Sequence, residues 1–192
     1  MKVFKLDSVI FKKDIKAEVI KALVGGKIFI YPTDTVYGIG CNVNYKESIQ
    51  RIYEIKKRSP SKPFSIIVPS LEWIEENCKV SKNGMRFIAS LLPGPYTLIL
   101  KVKNYEALKA VSREGKIGIR MPKNIFTDLI RSLNILFITT SANVSGEKPA
   151  SSVKKIPQDV KGRVDYIIDG GRLRGIPSRV FDLTRGLKIV RY

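Results

Sequence analysis

Several short segments of this chain place hydroxyl, amide, acidic or cationic side chains where they could meet a ligand. The decamer Tyr31-Pro32-Thr33-Asp34-Thr35-Val36-Tyr37-Gly38-Ile39-Gly40 follows the apolar run Ile28-Phe29-Ile30. That run reads as a buried strand, and Pro32, with no N–H to donate, stops its ladder. Thr33, Asp34, Thr35 and Tyr37 are therefore delivered at a strand end, where ligands of open α/β sheets usually sit. Gly38 and Gly40 let the backbone turn sharply or approach a ligand closely. The same residues also fit a strand, a turn and a second strand with no ligand at all.

The pattern recurs in Thr139-Thr140-Ser141-Ala142-Asn143-Val144-Ser145-Gly146, behind the apolar Ile135-Leu136-Phe137-Ile138. Small donors at a strand end suit phosphate or sugar oxygens, and they serve an ordinary Ser/Asn turn equally well. Lys56-Lys57-Arg58 closes a helical pattern. Ammonium supplies a compact charge and guanidinium a fork of donors for phosphate or carboxylate, although a helix C-terminus favours cations in any case. In Gly118-Ile119-Arg120-Met121-Pro122 the arginine falls on an apolar strand, where an unpaired charge is expensive. A partner carboxylate is predicted, from Asp34, Asp169, Asp182 or a substrate. Pro177-Ser178-Arg179-Val180-Phe181-Asp182-Leu183-Thr184 is a further polar entry to an apolar strand.

The 192 residues contain no histidine, which removes Ser-His-Asp and Cys-His pairs, His-ligated zinc and imidazole bases. Chemistry must run on Lys, Arg, Ser, Thr, Tyr, Asn, carboxylates or a metal arriving with substrate. Two cysteines, Cys41 and Cys78, stand in no metal-ligand spacing and fit a reduced cytoplasm. No Walker loop, dinucleotide glycine fingerprint or RNP aromatic motif is present. No apolar run is long enough for a membrane span, and the N-terminus lacks a signal-peptide core. With 44% hydrophobic residues against 27% charged ones, the chain can bury a core and disorder is not expected. The formal net charge of +18 favours polyanionic partners such as nucleotides, tRNA or other RNA.

The elements that would position these segments follow from periodicity and caps. Asp14 is placed to cap a helix over residues 14–23, with Ile15, Val19, Ala22 and Leu23 on one face and Gly25-Gly26 at its end. A second helix over 45–57 stacks Ile49, Ile52, Tyr53 and Lys56 on neighbouring turns. Ser70, Ser81 and Asn124 cap helices over 71–77, 83–91 and 124–133. A short helix follows Ser151 or Ser152. Strands are predicted over 64–68, 97–102, 116–121, 134–139, 164–168, 179–183 and 187–190. The alternation predicts one α/β domain over residues 1–192 with a mixed sheet, its antiparallel pairs gathered near the C-terminus.

Six of these segments, in order and across nearly the whole chain, resemble the Sua5/YciO/YrdC family, which includes the threonylcarbamoyl-AMP synthases. They are the decamer, Lys56-x-Arg58, Pro93-Gly94-Pro95-Tyr96-Thr97, Gly118-Ile119-Arg120-Met121-Pro122, Thr140-Ser141-Ala142-Asn143-Val144-Ser145-Gly146, and the stretch from Ser178 to Thr184. The resemblance implies a single-domain YrdC-like fold, a twisted mixed sheet with helices and a basic concave face. It implies a nucleotidyltransferase, L-threonylcarbamoyladenylate synthase. Such an enzyme condenses L-threonine, bicarbonate or CO2, and ATP carrying Mg2+ to threonylcarbamoyl-AMP and pyrophosphate. The product would pass to a t6A transferase complex that modifies tRNAs reading ANN codons.

By that resemblance Lys56 and Arg58 are the catalytic pair. Together with Ser141 and Asn143 they would hold the ATP phosphates and the carbamoyl unit, with Arg191 as a further ATP contact. Thr33, Thr35, Tyr37, Arg120, Thr139 and Ser178 would line the threonine end. No protein-held metal is implied. Relatives of the YciO type alter the Lys-x-Arg and Ser-x-Asn positions, and this chain keeps all four. A double-stranded RNA or tRNA-binding module of the YciO type, without synthase activity, is the alternative. Carbamoyl-adenylate chemistry of the hydrogenase-maturation kind would need acylphosphatase and zinc-finger modules, for which 192 residues and two cysteines leave no room.

Two positions depart from the family pattern. Ile67 stands where long-form members carry a histidine near the threonine, so the chain resembles the short form. Arg179 replaces a usual threonine beside Ser178. The proposed chemistry suits a histidine-free inventory. A threonine carbamate attacking the α-phosphate needs in-line placement and charge neutralisation more than a protein base.

Overall fold

The computed structural model describes residues 1–109 and 111–191. β1 (Lys2–Lys5) leads into α1 (Leu6–Phe11) and α2 (Lys13–Val24); β2 (Phe29–Tyr31) and β3 (Gly38–Gly40) bracket the polar part of the decamer. α3 (Lys46–Ile55), β4 (Ser65–Ile67), α4 (Leu71–Asn77), α5 (Lys82–Leu91), β5 (Tyr96–Lys101) and α6 (Tyr105–Leu108) follow. β6 (Lys116–Arg120), α7 (Ile125–Ser132) and β7 (Phe137–Ser141) lead to a 3-10 turn (Val153–Lys155) and α8 (Gln158–Lys161). β8 (Tyr166–Asp169), β9 (Arg179–Asp182) and β10 (Lys188–Arg191) complete the order.

The described strands form one mixed sheet in the order β1-β8-β2-β3-β7-β4-β6-β5-β9-β10. Antiparallel pairing is not gathered at the C-terminus as the sequence suggests. β7 inserts between β3 and β4 and runs antiparallel to both, so the reversal of direction sits mid-sheet. The parallel pairs lie to either side, β1–β8 and β2–β8 on one flank, β4–β6 and β5–β9 on the other.

Ser70, Ser81 and Asn124 cap their helices as predicted, accepting from the backbone N–H of Trp73, Gly84 and Phe126 at 3.2, 3.1 and 2.9 Å. Asp14 does not cap: it lies in the first turn of α2, whose N-cap is Lys12 with no side-chain bond. β1, α1 and α6 are four to six residues long, too short for a period to register. β7 starts three residues later than expected because Asn134 takes φ 52° at the end of α7, and Ile135 and Leu136 bring the chain back. Thr140 and Ser141 are consequently strand residues rather than loop.

Alternation along each strand divides the core in two. Ile66, Leu98, Ile119 and Ile138 point to one face, where Ile49, Ile52 and Ile55 of α3, Ile74 of α4 and Ile88 of α5 cover them. Phe29, Tyr31, Ile67 and Phe137 point to the other, under Val19 and Leu23 of α2 and Phe126 and Ile130 of α7. β3 is thin enough to sit beside β7 because Gly40 has no Cβ. A Cβ there would stand 1.8 Å from the carbonyl oxygen of Ile138. The close approach expected of this glycine is therefore to a neighbouring strand. Among the described residues no helix is long and apolar enough to cross a membrane.

Candidate active site

The face covered by α2 and α7 is left open farther along the sheet. Ser65 of β4, Gly118 and Arg120 of β6, Thr97 and Ile99 of β5, Thr139 and Ser141 of β7, and Val180 and Asp182 of β9 share the parity of Ile67 and Phe137. They wall a cavity of about 510 Å3 rather than a second apolar core. Gly118 keeps its floor low, since a Cβ would meet the Ser65 hydroxyl at 2.6 Å. The rim carries Arg58, Arg113, Lys116 and Arg191 against Glu114 and Asp182, so the cavity favours anions.

Arg120 anchors the inner end. Its Nη2 donates to Asp34 Oδ1 and to Thr35 Oγ1, both at 3.2 Å, which identifies Asp34 as the predicted partner carboxylate. Asp34 is itself fixed by the backbone N–H of Lys123 at 3.0 Å. Arg120 Nε is buried without any hydrogen-bond partner. Burial pulls the guanidinium below its ordinary range while Asp34 works against that. An orphaned donor in a cavity wall is costly unless a ligand oxygen satisfies it. Around it, Thr139 Oγ1 accepts from the Tyr31 hydroxyl at 2.7 Å and keeps its own proton to donate. Ser178 and Thr97 share a hydroxyl bond of 2.8 Å. Arg191 closes over them, Nε and Nη2 donating to the Ser178 carbonyl at 3.0 and 2.7 Å.

Arg58 stands at the outer end. Nε and Nη2 donate to the carbonyls of Lys62 and Pro63 at 2.9 and 3.2 Å, and the guanidinium lies 5.4 Å from the Phe64 ring centroid. Phe64 in turn stacks on Tyr53 at 4.2 Å. An arginine held over a ring with donors to spare is prepared for an anion. Lys57, at φ 47°, makes the left-handed turn that separates Lys56 from Arg58.

The residues singled out in the sequence thus divide. Arg58, Arg120, Thr139, Ser141, Ser178 and Arg191 line the cavity. Lys56, Asn143, Thr33, Thr35 and Tyr37 are buried behind it, their polar groups met by the protein itself. Thr33 Oγ1 donates to the Val36 carbonyl at 2.7 Å and pairs with Thr35 Oγ1 at 2.9 Å. The Tyr37 hydroxyl donates to the Gly171 carbonyl at 2.8 Å and accepts from Gly170 N at 3.0 Å. Burial pushes this phenol up to about 12. Lys56 Nζ donates to the Ser141 and Asn143 carbonyls at 2.5 and 2.8 Å and to Asn143 Oδ1 at 3.4 Å. Burial, and then the charge of Arg58, push this ammonium down to about 7.

Ile67, the first departure, is fully buried beside Tyr31, Phe126 and Phe137 and does not line the cavity. Arg179 is exposed on β9, on the face opposite to Val180 and Asp182, and does not line the cavity. Ser65, Arg113 and Lys116 line the cavity without having been singled out, and Thr97 and Asp182 join them from within the resembling segments. The parity shared with Arg120 and Thr139 was the available signal, once strand register was known.

Residues 21–192 match the Sua5/YciO/YrdC family, described as telomere recombination. The chain belongs to this family. It is 38% identical over 155 residues to a protein of Methanocaldococcus jannaschii named putative threonylcarbamoyl-AMP synthase, covering 80% of this chain and 72% of that one. The fold matches the crystal structure of Pyrococcus abyssi Sua5 complexed with L-threonine with a TM-score of 0.76 and 30% identity, over 89% of this chain and 52% of that one. It matches E. coli YciO with a TM-score of 0.82 and 27% identity, over 94% and 89% of the two chains. The chain therefore spans about half the length of the P. abyssi protein.

Proposed function

We propose that this chain is an L-threonylcarbamoyladenylate synthase. One observation carries the reading. A single cavity of about 510 Å3 joins an inner arginine with an unmet buried donor, Arg120, to an outer arginine set for phosphate, Arg58. That volume lies in the range of small-molecule sites. The threonine carboxylate takes the free edge of Arg120, and Thr139 and Ser178 meet its polar groups. Arg58, Ser141 and Arg191 take the phosphates and ribose of ATP, which brings its own Mg2+ as part of the substrate. The threonine amine attacks CO2 or activated bicarbonate to give a carbamate. A carbamate oxygen then attacks the α-phosphorus, the bond to the bridging oxygen breaks, and pyrophosphate leaves. Arginine donors neutralise the developing charge, so no imidazole is required. The threonylcarbamoyl-AMP formed would serve t6A modification of tRNA through a separate transferase complex.

The test is pyrophosphate release from ATP and bicarbonate with each amino acid in turn. Release that depends on threonine supports the synthase. RNA binding with no turnover refutes it and leaves the YciO-type module, for which the net charge of +18 is the favouring observation.

A further inference from the structure

Lys56 is the most unusual charged residue of the molecule, and the chemistry proposed above does not use it directly. It is 2% exposed and does not line the cavity. No carboxylate pairs with it among the described residues. Its three ammonium protons meet the Ser141 carbonyl, the Asn143 carbonyl and Asn143 Oδ1, and an ammonium has only three to give. Its own carbonyl accepts from Ser145 N at 2.9 Å. Asn143 extends the arrangement, its Nδ2 donating to the Glu147 carbonyl at 2.7 Å. One residue at the end of α3 thus gathers both side chain and backbone of the segment 141–145 as it leaves β7.

We infer that Lys56 is a positioning residue: it holds the exit of β7 so that the Ser141 hydroxyl faces the bound nucleotide, and it does not itself contact phosphate. To reach the cavity the ammonium would have to abandon three acceptors; the Ser141 carbonyl would keep the Asn143 N–H at 3.0 Å, but the Asn143 carbonyl and amide oxygen would lose the donor they have here. Ser141 Oγ, by contrast, lines the cavity and makes no hydrogen bond within the described residues. A neutral side chain could fill the same volume. Three donors converging on one segment instead select a single arrangement of it. The inference rests on the synthase reading for the identity of the ligand, and on geometry alone for the hold on the segment.

A double-mutant cycle tests it. Threonine-dependent pyrophosphate release is measured for the unmodified protein, Lys56→Met, Ser141→Ala and the double variant, at a temperature where each is folded. Ser141→Ala and Lys56→Met are each expected to lower kcat about a hundredfold. The double variant should fall within about threefold of Lys56→Met, because a hydroxyl that is no longer held has little left to lose. Losses that multiply would mean two independent contacts with substrate and would overturn the inference. So would a lowered Tm with unchanged kcat, the mark of a purely structural lysine. If Lys56→Met does not fold, Lys56→Gln, which keeps an amide donor pair, enters the same cycle. Amide hydrogen exchange supplies a readout independent of turnover. Asn143 and Ser145 should exchange faster in the variant while β2 and β8 do not, and unchanged exchange at both would overturn the hold. An unmodified protein with no threonine-dependent release would refute the synthase reading, while exchange would still decide the role of Lys56.

Discussion

The two polar strand exits look alike in sequence and behave oppositely in structure. After β2, the hydroxyls of Thr33, Thr35 and Tyr37 are turned on one another, on backbone carbonyls and on the Gly170-Gly171 turn, while Asp34 is consumed by Arg120 and Lys123. After β7, Thr139, Thr140 and Ser141 face the cavity. The first exit is a closed network that fixes Arg120; the second is an open surface that meets what Arg120 and Arg58 bring in. Hydroxyls at a strand end therefore do not announce a ligand. What decides is whether the surrounding backbone has already claimed them.

Breaking the closed exit at its charged joint should give the largest effect. The Arg120–Asp34 pair is 3.2 Å long with both side chains about nine-tenths buried, at 10% and 11% exposure. Asp34→Ala leaves an uncompensated guanidinium inside the protein and is expected to cost ~3–5 kcal/mol of folding stability, with activity lost alongside. Denaturant unfolding measures it. A loss under ~1 kcal/mol would mean that the pair is solvated and the network less closed than drawn.

The open exit and its outer arginine are tested by turnover instead. Arg58→Ala should lower kcat by about a hundred- to a thousandfold, ~2.7–4 kcal/mol, with the thermal midpoint little changed. Lys57→Ala is the control, because Lys57 is exposed and its left-handed turn places it away from the cavity. Equal small effects at both positions would remove Arg58 from the chemistry.

The sequence made the elements legible where local physics decides them. Ser70, Ser81 and Asn124 cap as written, and α4 spans Leu71–Asn77, the range its pattern gives. The sheet order was not legible, because β7 reaches its place between β3 and β4 through pairings far apart in the chain, Gly38 with Ser141 and Ser65 with Thr139. The motifs located the site, but composition could not sort its layers. Lys56 and Arg58 are two residues apart and equally cationic, yet the turn at Lys57 sends one into the protein and the other to the cavity. Ser65 and Lys116 carry no motif, and only register places them on the wall.

Amino-acid preference probes the wall between the two exits. Val36, Ile99 and Val180 contribute apolar surface to the cavity, whereas Ile67, on the same face of the sheet, is packed with Phe126 and Phe137 and does not line it. Serine lacks only the threonine methyl, so discrimination by such a surface is worth ~1–3 kcal/mol, about ten- to two-hundredfold in kcat/KM. Serine turning over as well as threonine would mean that the methyl meets no apolar wall.

The smallest effect is expected at Tyr37, where the contrast between the exits is sharpest. The resemblance placed this residue among those lining the threonine end, whereas its hydroxyl here bridges the Gly171 carbonyl and Gly170 N, with Asp169 Oδ1 at 3.3 Å. Tyr37→Phe keeps the buried ring and removes only that bridge. One neutral hydrogen bond of this kind contributes ~0.5–1.5 kcal/mol net, so the thermal midpoint should fall by a few degrees at most. KM for threonine should stay within about twofold, since the hydroxyl has no free valence directed at the cavity. If KM instead rises tenfold or more while stability holds, the Tyr37 hydroxyl exchanges its backbone partners for substrate, and the exit after β2 opens on binding.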